Sequence, residues 1–188
     1  MNKNNPLVSI IMNCFNGEKY LKESLTSIIN QSYTNWELIF WDNKSTDQSS
    51  QIIKKTIDNR INYYYSDNFE KLYKARNLAL EKASGDFICF LDTDDFYDKD
   101  FIKKHLDKIL KSDCDIVYSK YFIKNEINHT IYTNNKKNLP SGLITQNLLR
   151  DNLVGISAVF LKRKVFDVLK FNQNYEVIGD FDFFFRLS

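Results

Sequence analysis

The sequence predicts an α/β domain, a mostly parallel sheet with helices on both faces, leading into a smaller and more mixed second half. Two observations carry this. Through the first 120 residues, short apolar runs rich in Val, Ile and aromatic residues alternate with segments of helical spacing. Several of these runs are apolar at nearly every position, which is how strands buried on both faces read. The 188 residues fit one domain with an extension, ~150 residues being usual for a domain. No internal repeat or linker is present, so residues 1–188 are read as a single domain with halves 1–120 and 121–188.

Leu7 to Met12 is the first strand, and Leu21, Leu25, Ile28 and Ile29 then fall on one face of a helix. Trp36 to Trp41 is the second strand. Ser45 followed by Gln48 resembles a capping box that opens a helix with Ile52, Ile53 and Ile57 inward. Ile61 to Tyr65 is the third strand, followed by a helix from Leu72 to Ala83 with Ala75, Leu78 and Ala79 inward and Gly85 as its stop. Phe87 to Leu91 is the most hydrophobic run and empties into Asp92-Thr-Asp-Asp95. Asp98 is placed to cap a helix carrying Phe101, Ile102, Leu106, Ile109 and Leu110, with His105 among them. Asp115 to Tyr118 reads as a strand, and the polar stretch Asn134 to Asn138 as a hairpin tip. A helix near Thr145 to Arg150, a strand near Ile156 to Phe160, a short helix after Lys164 and a helical start near Asp180 complete the chain.

Composition removes several classes of function. With 26 Lys and Arg against 24 Asp and Glu, the net charge of +2 gives no electrostatic footprint for nucleic acid. Three cysteines without a C-x-x-C pair read as free thiols of a reducing compartment. The N-terminus lacks a signal-peptide pattern, and no run approaches the ~20 apolar residues of a membrane helix. The expected location is therefore cytoplasmic, with peripheral membrane association left open. The two histidines have no partner at zinc-ligand spacing. The five glycines form neither a G-x-G-x-x-G fingerprint nor a P-loop, and no G-x-S-x-G elbow exists for a serine hydrolase.

In open α/β sheets, ligands sit beyond the carboxyl ends of the strands. The residues delivered there are Asn13, Cys14 and Phe15 after the first strand, Asp42 and Asn43 after the second, and Asp92, Asp94 and Asp95 after the fourth, with Arg76 just before that strand. Six aspartates lie between Asp86 and Asp100. Crowded carboxylates repel one another, so such a loop either holds a cation or remains a solvated turn beside a helix cap. Oxygen ligands without His or Cys suit Mg²⁺ or Mn²⁺. Phe15 is a candidate to stack on a nucleobase or to pack in the core, Arg76 to meet a phosphate or lie at the surface, and Asp180 to act in catalysis or cap its helix.

Taken together, the motifs resemble the family 2 glycosyltransferases, whose catalytic domain has the Rossmann-like GT-A fold, over nearly the whole chain. The resemblance is carried by Val8 to Asn16, by Gln31 to Asp47 with its Ser-Thr-Asp loop, by Ala75-Arg-Asn77, by Ala83 to Asp95 with its D-x-D, and by Ile178 to Leu187. It implies that Phe15 stacks on the base of a nucleoside diphosphate sugar beside Asn13, and that Arg76 contacts the base or diphosphate. Asp92, Asp94 and Asp95 would form the D-x-D site, with Asp94 or Asp95 the direct ligand of Mn²⁺ or Mg²⁺ and a neighbour on the ribose. Asp180 would take the proton from the acceptor hydroxyl. Residues 1–120 would bind the donor and 121–188 begin the acceptor side.

The implied chemistry is a single displacement inverting the sugar's anomeric carbon, with a glycan or lipid-linked glycan as acceptor, in surface polysaccharide or lipopolysaccharide synthesis. Such a displacement needs the charge developing on the diphosphate neutralised and a weak alcohol nucleophile deprotonated. Two positions depart from the family pattern. Asn43 stands where many members carry a second acid that meets the imide of uracil or thymine; an amide also accepts that bond, so a UDP- or dTDP-sugar is favoured. Gly179 stands where many members have an acid before the base. The chain ends eight residues after Asp180, where relatives usually continue, so a nucleotide-binding fragment without turnover is an alternative expectation. A nucleotidyltransferase is another, although the Gly-rich basic loop it needs is absent from Asn13 to Tyr20.

Overall fold

The computed structural model describes residues 5–133, 138–151 and 153–188. Its main sheet contains β1 (Val8–Cys14), β2 (Trp36–Asp42), β3 (Ile61–Tyr65), β4 (Phe87–Phe90), β5 (Ile116–Tyr118) and β8 (Val159–Lys162), in the order β3-β2-β1-β4-β8-β5. The β1–β2, β2–β3 and β1–β4 pairs are parallel, while β8 runs antiparallel between β4 and β5. The predicted mostly parallel α/β architecture is thus the observed one. A separate hairpin is formed by β6 (Phe122–Lys124) and β7 (Ile131–Thr133).

Alternate residues of each central strand enter opposite cores, as the pleat requires. Ile10, Met12, Leu38, Phe40 and Cys89 pack with α1 (Glu18–Ile29), α2 (Ser49–Lys55) and α4 (Phe101–Leu110). Ile11, Ile39, Trp41, Ile88 and Phe90 pack with α3 (Leu72–Leu80), α5 (Thr145–Arg150), α6 (Val165–Val168) and α7 (Gly179–Leu187). Burial on both faces explains why these strands lack hydrophobic alternation.

Several local expectations are corrected. Ser45 does not cap α2: the helix starts at Ser49, and Asp47 Oδ1 accepts its first N–H at 2.9 Å. Ile57 lies beyond α2 and is fully exposed. The third helix ends at Leu80, so Gly85 is not its stop. Gly85 is required because a Cβ there would lie 2.6 Å from the backbone nitrogen of Ser9. Asp98 does not cap α4 directly; it closes a turn through the Asp100 N–H at 3.1 Å and binds Lys104 at 3.0 Å. Leu110 is exposed. The strand expected near Ile156 begins at Val159, preceded by a 3₁₀ turn over Ile156–Ala158. A hairpin turn falls between Lys124 and Ile131; of the tip expected at Asn134 to Asn138, residues 134–137 lie outside the described residues.

Candidate active site

Strand order reverses at β1, with β2 and β3 on one side and β4 on the other. Crossovers therefore diverge at the carboxyl ends of β1 and β4 and leave a crevice between them. Asn13 to Gly17 lie on one side of it and Asp92 to Asp95 on the other. Gly17 keeps the two loops close, because a Cβ there would meet Thr93 Oγ1 at 2.9 Å.

The loops after β1 and β2 brace each other. Asn16 adopts a left-handed φ of 54°, and its Oδ1 accepts the Thr46 N–H at 2.8 Å. Ser45 Oγ accepts the Asn16 N–H at 3.1 Å, Ser49 Oγ the Gly17 N–H at 2.9 Å, and Asp47 Oδ2 the Glu18 N–H at 2.9 Å. The Ser-Thr-Asp segment thus supplies acceptors for the otherwise open N–H groups that begin α1. Buried Asp42 accepts from Ser45 N–H and Tyr63 O–H, each at 2.8 Å, which makes it a post for this brace.

At the centre lies Arg76, 1% exposed. Its Nη2 donates to Asp92 Oδ1 at 2.7 Å and its Nη1 to Asp180 Oδ1. One guanidinium therefore joins the first acid of the D-x-D loop to the acid in the first turn of α7. Burial opposes the arginine's charge, but the two carboxylates outweigh it and hold its pKa above the usual value. Burial raises the Asp180 pKa above the ordinary carboxylate value and Asp92 adds to this, while Arg76 pulls it back. Asp180 is not a helix cap, since its carboxylate goes to Arg76 and the N-cap is Ile178.

Tyr73 and Gly179 fix this geometry. A Cβ on Gly179 would lie 2.4 Å from the Tyr73 ring, and Tyr73 O–H donates to the Val177 carbonyl at 2.8 Å. Position 179 therefore takes a glycine because α7 starts directly against a buried aromatic ring. Sequence reasoning had no signal for Tyr73. Ser157 was also missed: its Oγ accepts the Asp92 N–H at 3.2 Å, and it hydrogen-bonds the Asp95 side chain. It arrives from the 3₁₀ turn that spacing had assigned to a strand.

The remaining expected residues divide. Phe15 is half-exposed on the rim, in edge contact with Phe69 at 4.7 Å between centroids. Asn13 places a buried Nδ2 there without a protein partner. Asn43 is 5% exposed and engaged elsewhere, its Nδ2 donating to the Glu70 carbonyl at 2.8 Å and its Oδ1 accepting the Glu70 N–H at 3.1 Å. Asp94 and Asp95 face solvent. Limited hydration in the crowded loop raises the Asp95 pKa, and Asp92 and Asp94 raise it further against the Ser157 hydrogen bond. Among the described residues no three His, Cys, Asp or Glu side chains form a metal cage. Two exposed carboxylates nevertheless fit Mg²⁺ or Mn²⁺, which commonly bind through one or two carboxylates plus substrate phosphates.

The site is therefore a carboxyl-rim crevice with an acidic turn on one side and, at its end, a buried arginine joined to two aspartates, on a mostly parallel sheet of the GT-A type. The model of glycosyl transferase family 2 matches residues 9–169, and the chain belongs to that family. It is 38% identical over 186 residues to an uncharacterized glycosyltransferase of Haemophilus influenzae, covering 96% of this chain and 71% of that protein. It is 33% identical over 165 residues to the Escherichia coli UDP-Glc:alpha-D-GlcNAc-diphosphoundecaprenol beta-1,3-glucosyltransferase WfgD, covering 88% and 64% respectively. Residues 1–349 of Staphylococcus aureus TarS in complex with UDP share the fold, with a TM-score of 0.74, 22% identity and coverage of 94% of this chain and 53% of that one. The fold is also that of a Pyrobaculum calidifontis mannosyltransferase in complex with GDP-Man and Mn²⁺, with a TM-score of 0.69, 18% identity and coverage of 90% and 48%. The chain thus spans about two thirds of these two relatives and about half of the solved chains. No helix among the described residues is long and apolar enough to cross a membrane.

Proposed function

We propose that this chain transfers a sugar from a nucleoside diphosphate sugar, UDP- or dTDP-linked, to a hydroxyl of a glycan or lipid-linked glycan, with inversion, at the cytoplasmic face of the membrane during surface polysaccharide synthesis. The observation that carries the reading is Arg76, which brings Asp92 and Asp180 to one end of the crevice. In this reading Phe15 and Asn13 hold the nucleoside, Asp92 turns to the ribose, and Asp94 and Asp95 hold Mn²⁺ or Mg²⁺. When bound, that ion supplies positive charge against the diphosphate leaving group. Asp180 accepts the acceptor's hydroxyl proton, a role served by a carboxyl whose pKa burial has raised. Arg76 keeps that carboxylate ionised and aimed. Support comes from the family membership and from the UDP-dependent activity named for the Escherichia coli relative.

Asp180→Asn is expected to keep nucleotide affinity within about twofold and to lower transfer at least 100-fold, the size of a general-base contribution. Equal transfer by variant and parent in a sugar-release assay would remove Asp180 from the mechanism. Asp94→Ala combined with Asp95→Ala should abolish the Mn²⁺-dependent part of UDP affinity in calorimetry, and undiminished affinity would move the ion elsewhere.

A further inference from the structure

The second aromatic ring on the rim has no role in the reading above. Phe69 is 58% exposed and Phe15 51%, so the contact at 4.7 Å and 64° leaves both rings largely in water. The segment that presents Phe69 is nevertheless tied down on each side. Before it, Ser66 N–H donates to the Asp42 carbonyl at 2.9 Å and Ser66 Oγ to the Asn68 carbonyl at 2.6 Å. After it, Glu70 gives both of its backbone groups to the single side chain of Asn43. A loop this constrained, holding an apolar ring in water, forgoes the gain that burial of a phenylalanine brings. The two rings are too close for a third ring between them, and they form an open corner of one face and one edge.

We propose that Phe69 is a direct contact for the nucleobase, forming with Phe15 a two-sided aromatic corner, and that Asn43 is a positioning residue that sets Phe69 through the Glu70 backbone. The ligand is the flat heteroaromatic base of a nucleoside diphosphate, so the inference rests on the donor-site reading. Asn43 does not meet the base edge. Its carboxamide is buried and its orientation is set by the paired bonds to the Glu70 backbone, which leaves its spare N–H and lone pair covered rather than turned to the rim.

Calorimetric titration with UDP and, separately, with inorganic pyrophosphate, both with Mn²⁺, tests this on the parent, Phe69→Ala, Phe69→Tyr, Asn43→Asp and the double variant Asn43→Asp with Phe69→Ala. Phe69→Ala is expected to weaken UDP about tenfold, within the range for loss of a base-stacking ring, and leave pyrophosphate unchanged. Phe69→Tyr should restore UDP affinity. Asn43→Asp places a carboxylate against the Glu70 carbonyl and should weaken UDP to a similar degree, with the double variant no weaker than either single one. UDP affinity within twofold of the parent in Phe69→Ala would overturn the contact, and additive losses would overturn the coupling and return Asn43 to the base edge. A parent that binds pyrophosphate but not UDP, GDP, CDP or dTDP would overturn the donor-site reading itself.

Discussion

A guanidinium as buried as Arg76 is tolerated because two carboxylates meet it, and both belong to the proposed chemistry. The same residue therefore sets structure and protonation together. With Asp180 as the proposed base, the transfer rate is expected to fall as the pH drops through a pKa held above the ordinary carboxylate value. Arg76 is the influence that lowers that pKa, so Arg76→Gln should move the acid limb of the rate profile, measured at saturating donor, to higher pH. An acid limb at unchanged pH would show that Arg76 does not govern the base. Asp92, Asp94, Asp95 and Asp180 stood out in the sequence because acids after a buried strand or at a helix start are conspicuous. Tyr73, Ser157 and Phe69 did not, because nothing in their neighbours distinguishes them from ordinary core, turn and surface residues.

At the scale of elements, close approach of chain to chain explains a glycine that helix rules misread. Gly85 leads into β4 against the backbone of β1, and the Gly85 N–H donates to Ser9 Oγ at 2.8 Å. An alanine there meets backbone that cannot swing aside. Gly85→Ala is expected to cost about 1–3 kcal/mol and lower Tm by several degrees, as read by thermal denaturation; an unchanged Tm would mean that the turn before β4 shifts freely. The starts that sequence misplaced, at α2 and β8, and the cap it misassigned at α4 share one cause. Asp47 accepts from the starts of α2 and α1, whereas Asp98 and Ser157 accept from loop N–H groups, so a polar residue before an apolar run does not reveal which N–H it will meet.

For the whole molecule, the reversal of strand order around β1 matters most, because it gathers loops from distant parts of the chain into one crevice. A ligand spanning Phe15 and the Asp92–Asp95 loop should hold β1 and β4 together and resist global unfolding. UDP or dTDP with Mn²⁺ at about 100 times Kd should add roughly 2.7 kcal/mol, or about 5–10 °C in Tm for a domain of this size. A shift with one nucleotide only in the presence of Mn²⁺ would identify the donor class, whereas no shift with any nucleotide would count against the donor site.

By itself the sequence determined the order of strands and helices through Leu110, the burial of the sheet on both faces, and the set of acids and aromatics delivered to the carboxyl rim. These are local properties, written in periodicity and in the residues that follow each run. Only the tertiary structure decided that Arg76 joins partners 16 and 104 residues away, that Asn43 serves Glu70, and that Phe69 stands beside Phe15. Such pairings depend on where crossovers deliver each loop and on which buried polar group must be satisfied there, and neither is fixed by residues adjacent in the chain.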